Sequence, residues 1–153
     1  MKKYLIILFS IGFFSSAYSQ TLQDGLKALD NDQFAKAKSV FQSLVASKPE
    51  ISVEAWYNLA GCYFETGKKD SAGLVVDKLM ASYPANALSK VALGRLALAN
   101  KNTGAAKANF EEALKISANK DAKVMKYIAE AYLTQESPDG PAAIQILTPA
   151  IKL

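Results

Sequence analysis

The sequence predicts an all-α protein, a solenoid in which about four antiparallel helix pairs stack side by side. Two observations carry this. Apolar residues recur at three- and four-residue spacing in segments of helix length, as in Trp56, Leu59, Tyr63 and Phe64, which gathers them on one helix face. Alanines 37, 72, 106 and 143 then stand 35, 34 and 37 residues apart, at matching places in successive units. A near-fixed period of this length marks stacked hairpins that cannot cover their own apolar faces alone.

The clearest unit runs over residues 53–86. Its first helix carries Trp56, Leu59, Ala60 and Tyr63, and a turn follows at Glu65-Thr66-Gly67-Lys68-Lys69-Asp70. The second helix is expected to bury Ala72, Leu74, Val75 and Leu79, and Pro84 closes the unit. Ala60 and Ala72 are small where two helices must cross closely. This order of Trp, Leu, small residue, Tyr, Ala and Pro resembles the tetratricopeptide repeat. Ala60 and Val76 depart from it, since the family favours glycine and an aromatic at those places.

The remaining units follow the same plan. Residues 20–51 form a degenerate first repeat with Gly25 and Leu26, a turn at Asn31-Asp32-Gln33, Ala37 and Phe41, and Pro49 as its stop. Residues 87–120 form the third, with Leu93-Gly94, a turn at Asn100–Gly104, Ala106, Phe110 and Ala113; Ser117-Ala118-Asn119 replaces the usual proline boundary. Residues 121–153 form the fourth, with Ile128, Ala129 and Tyr132, a turn longer by about two residues around Pro138-Asp139-Gly140-Pro141, then Ala143 and Ala150.

Ahead of the repeats, Lys2-Lys3 precede the apolar run Leu5–Phe14 and the small residues Ala17 and Ser19 before Gln20. The stretch 1–19 resembles a bacterial secretory signal peptide. Its apolar run is about ten residues, against the ~20 needed to span a bilayer, so the expectation is cleavage and no integral span afterwards; an uncleaved anchor is the alternative. A lipoprotein anchor at this end has no cysteine to carry it. The expected location is exported: periplasmic, associated with the outer envelope, or secreted.

Composition excludes several classes of function. The chain has 153 residues, half of them hydrophobic, and a net charge of +4 that falls to +2 without Lys2 and Lys3. Its lysines are scattered along the chain with no basic–aromatic interleaving, so a nucleic-acid interface is not expected. There is no histidine, which removes the commonest metal ligand and general base. Glu111 and Glu112 are adjacent on a helix and face different ways, a poor acid–base pair. Cys62 reads as a small core hydrophobe. No catalytic site, cofactor or metal is expected.

What the tetratricopeptide resemblance implies is a right-handed superhelix whose concave face, lined by the first helix of each repeat, binds a protein or peptide. The family's ligand positions fall on Leu22, Gln23, Leu26 and Leu29; on Glu54, Tyr57, Asn58, Gly61, Phe64 and Glu65; on Leu88, Val91, Ala92, Arg95, Leu98 and Ala99; and on Lys123, Lys126, Tyr127, Glu130, Leu133 and Thr134. Tyr57, Asn58, Phe64, Val91, Arg95, Leu98, Lys126, Tyr127 and Glu130 are the candidate groove residues. Packing against the neighbouring first helix is an equal reading for Tyr57, Phe64, Val91 and Leu98. Of the residues that clamp chaperone carboxylates elsewhere in the family only Asn58 is in place, with Leu22, Leu26, Leu88 and Ala92 at the others. Ile144, Leu147 and Ile151 of the last helix are expected to face solvent, a surface for association or for a following segment. The function expected is therefore a non-catalytic interaction scaffold. The alternatives are an N-terminal module of a longer exported protein or enzyme, and a self-assembling structural element.

Overall fold

The structure is a computed structural model that describes residues 21–47 and 53–151. The leader, Gln20 and Pro49 lie outside the described residues. Among the described residues eight helices follow in order: α1 (Leu22–Asp30), α2 (Phe34–Ser47), α3 (Val53–Glu65), α4 (Lys69–Ser82), α5 (Ala87–Ala99), α6 (Thr103–Ile116), α7 (Ala122–Leu133) and α8 (Gly140–Ala150). Among the described residues there is no strand. Each odd helix pairs with the even helix after it, and the hairpins stack in chain order.

Local chemistry starts and stops these helices. Thr21 opens α1 through a reciprocal capping box with Asp24. Asn86, Asn102, Asp121 and Asp139 accept first-turn backbone N–H groups of α5, α6, α7 and α8. The turns inside the first three hairpins are built alike. The N–H groups of Gln33, Lys68 and Asn102 each donate 2.8 Å to the carbonyls of Ala28, Tyr63 and Ala97. The residues just before them, Asp32, Gly67 and Lys101, hold positive φ, the left-handed close that ends many helices. The fourth turn is longer, and there Asp139 N–H returns to the Tyr132 carbonyl.

The core is one continuous cluster along the stack. All four period alanines, 37, 72, 106 and 143, are buried. A Cβ added at Gly25 would lie 2.7 Å from Phe41 Cζ, and one at Gly94 would lie 2.6 Å from Phe110 Cδ1. In these two hairpins a glycine on the first helix makes room for a ring on the second. The second hairpin has Ala60 and Val76, both buried, at the matching positions: an extra methyl on one helix stands with a missing ring on the other. That accounts for its two departures from the family pattern.

One expectation is corrected. Leu74 is 65% exposed, and Val76 takes the buried position instead. Residue 76 lies four past Ala72 and one turn before Leu79, on the stripe that faces α3. Ile144 and Ile151 are exposed as expected, whereas Leu147 is half-buried.

Candidate functional site

The stack is not uniform. α3 rests chiefly on α2, α5 rests on both α4 and α3, and α7 rests chiefly on α5 with little contact to α6. Each first helix thus slides further from the second helix before it and closer to the first helix before it. By the fourth hairpin the wall of first helices has curled until α7 reaches across α5 to α3.

That crossing holds the central site. The rings of Tyr57 and Tyr127 lie 4.5 Å apart between centroids, tilted at 44°, a favourable aromatic arrangement. Tyr127 Oη donates to a Glu54 carboxylate oxygen at 2.8 Å, and Lys123 Nζ donates to the other at 2.8 Å. Asn58 Nδ2 donates to the Glu54 carbonyl at 2.9 Å and to Tyr127 Oη at 3.5 Å. Tyr57 Oη donates to the Tyr127 carbonyl at 3.4 Å. Burial pushes the Tyr57 phenol up to about 12. It pushes the Tyr127 phenol higher still, with the Glu54 carboxylate adding to the rise, so both rings are neutral donors near neutral pH.

A second set of ties lies toward the turns. Arg95 donates to Glu65 and, at 3.2 Å, to Thr134 Oγ1, with its guanidinium 5.1 Å from the Phe64 ring centroid. Lys69 Nζ donates to the Ala99 carbonyl at 3.2 Å and to Glu136 at 3.3 Å, and Lys101 reaches the other Glu136 oxygen at 3.4 Å. These residues rim an open recess of about 470 Å³ floored by Phe64, Leu98 and Ala131. An adjoining cleft of about 750 Å³, which shares Leu98, Thr103 and Gln135 with the recess, separates α6 from α8, with Phe110, Leu114, Tyr132 and Ile146 on its walls.

The nine candidate residues divide among these places. Tyr57, Asn58, Val91, Leu98 and Tyr127 are buried; the first helices cover all of them but Leu98, whose edge reaches the recess. Phe64, Arg95 and Leu98 line the recess. Lys126 is exposed, pairs with half-buried Glu130 at 3.3 Å and lies 5.7 Å over the Tyr127 ring. Glu54 and Lys123 prove central to the crossing. They occupy ligand positions in the sequence, but a contact spanning 69 residues leaves no local signal. Lys69 opens α4 and Lys101 and Glu136 come from turns, all outside the repeated apolar pattern. No group of His, Cys, Asp and Glu able to hold a metal is found among the described residues, nor is any helix there long and apolar enough to cross a membrane.

An all-α stack of hairpins with a recessed wall of first helices defines a helical-repeat protein of the kind that presents an extended surface rather than an enclosed active site. Two family models, both described as tetratricopeptide repeat, match residues 28–96 and 87–120; the chain carries tetratricopeptide repeats. No curated protein matches it. Among solved structures, the crystal structure of MamA is similar at 19% identity and TM-score 0.53, over 86% of this chain and 74% of that one. A MamA structure from AMB-1 is similar at 21% identity and TM-score 0.46, over 86% and 70%. At these identities the likeness is one of fold.

Proposed function

We propose that the chain is an exported, non-catalytic scaffold of the bacterial envelope that holds a protein segment against its wall of first helices. The observation that carries this reading is the recess of about 470 Å³, where an apolar floor of Phe64 and Leu98 is ringed by Arg95, Lys69, Lys101 and Thr134, with Glu65 and Glu136 paired to those cations. An open depression with apolar footing and convergent donors suits a peptide anchored by an apolar side chain and steered by its acidic groups. Arg95 contributes a held guanidinium, oriented by Glu65 and Thr134; Lys69 and Lys101 contribute charge at the rim.

The test is affinity capture from an envelope extract with the processed protein, its Arg95→Ala variant and its Lys101→Glu variant. The reading expects a defined set of proteins bound by the wild type and depleted with both variants. Identical recovery from all three would refute the recess as the binding face. Export is tested separately, by fractionating cells that make the full chain and sequencing the N-terminus of the product; cleavage before Gln20 is the expected result.

A further inference from the structure

In a regular solenoid each repeat touches only its neighbours, yet here the fourth repeat grips the second. The grip has the chemistry of a ligand in a site. From α3 come a carboxylate, a ring and an amide (Glu54, Tyr57, Asn58); from α7 come a cation and a hydroxylated ring one turn apart (Lys123, Tyr127). The Glu54 side chain is only 17% exposed and receives both a Lys123 ammonium and the Tyr127 hydroxyl. A mostly covered carboxylate left without such donors is costly, so whatever replaces α7 must bring a cation and a donor with it.

We propose that α7 is an internal pseudo-ligand. The α3 surface it covers is a docking site for a helical peptide of a partner protein that carries a basic residue and, four positions later, a tyrosine or other aromatic on the same face. The proposal rests on the scaffold reading above and names both the partner's chemistry and the control of its access. Residues four apart share one face of a helix, so Lys123 and Tyr127 are the recognition pair read from the occupant itself. A partner helix and its side chains are about 10 Å across, too wide to enter while α3 and α7 are in side-chain contact; α7 must leave first. It has somewhere to go. α6 and α7 barely touch, and the cleft of about 750 Å³ between α6 and α8 would close if the last hairpin rolled back onto α6, as α3 sits on α2. The pivot is the connection through Ala118 and Asn119, both at positive φ, a conformation that disfavours residues other than glycine. Closure therefore taxes the partner: its apparent affinity falls by the fraction of molecules in which α3 is uncovered.

The experiment uses the chain with residues 1–19 removed and a fluorescent peptide copying residues 121–134. Fluorescence anisotropy should show binding to Lys123→Ala/Tyr127→Ala protein at least about tenfold tighter than to wild type, because the variant releases α7 while its α3 is intact. A peptide with its lysine changed to glutamate and its tyrosine to alanine should not bind. Equal affinity for variant and wild type, no binding to either, or equal binding of the altered peptide overturns the proposal. If the double variant melts without cooperativity, Glu54→Lys protein replaces it; there the proposal requires a peptide with glutamate at the lysine position to bind and the native peptide to fail, and the reverse refutes it. The two readings fail separately. Loss of peptide binding with Arg95-dependent capture intact removes this inference alone, whereas peptide binding without Arg95-dependent capture removes the recess.

Discussion

Replacing Gly94 by alanine sets two opposed effects against each other in the middle of α5. Helix propensity favours the change by about 1 kcal/mol. Packing opposes it, because the new Cβ would fall 2.6 Å from Phe110 Cδ1 and 2.9 Å from Cζ. The ring has little freedom to retreat: Phe110 is 2% exposed, and its far side meets the Tyr132 ring edge-on at 5.1 Å. Overpacking of a close-packed core costs typically 1–3 kcal/mol, and with the whole ring edge involved the upper end applies, leaving a net loss of about 2 kcal/mol. Phe110→Val alone leaves a cavity and costs about 2–3 kcal/mol, short of a full truncation to alanine. The double variant, however, rebuilds the combination of Ala60 and Val76 found in the second hairpin. In the Phe110→Val background, Gly94→Ala should therefore change sign and stabilise by about 1 kcal/mol. Urea unfolding of the four proteins, followed by circular dichroism with equal slopes, measures the cycle. Stabilisation by Gly94→Ala in the wild type, or the same loss in both backgrounds, would refute the complementarity of small residue and ring.

Two further outcomes follow from buried polar groups. Ser89 is wholly buried and its Oγ has no hydrogen-bond partner, so Ser89→Ala removes an unmet desolvation cost; denaturant unfolding should show unchanged or higher stability, and a loss above about 1 kcal/mol would contradict the description of that site. The Tyr57 phenol is raised to about 12 and that of Tyr127 is raised further, while an unfolded tyrosine ionises near 10. The folded state holds these protons more tightly, so this part of its stability is complete below about pH 10 and is lost as pH rises through 12. Stability measured across that range should fall more steeply in the wild type than in Tyr127→Phe; parallel curves would show that the crossing is open to solvent.

The repeat plan was legible residue by residue because it is local. Trp56, Leu59 and Tyr63 share a face by helical geometry alone, and the glycines, asparagines and aspartates at positions 31–33, 67 and 100–104 announce the turns. The all-α plan of stacked hairpins needed nothing else. Leu74 was misplaced because a helix near a solvent edge offers two adjacent apolar stripes, and only the neighbour chooses between them. The candidate face was half legible: its residues lie at the expected positions of the first helices, yet Tyr57, Asn58, Val91 and Tyr127 are covered by those helices themselves.

Period, helical spacing and turns are properties of segments shorter than one repeat, and the amino-acid sequence by itself determined them. The curl of the stack is not such a property. It accumulates from small rotations at three junctions, each set by how side chains of two hairpins interlock, and the sum carries α7 past α5 onto α3. Only the tertiary structure could decide that Glu54 meets Lys123 and Tyr127, because no force acting along the chain links residues about seventy positions apart until packing has brought them together.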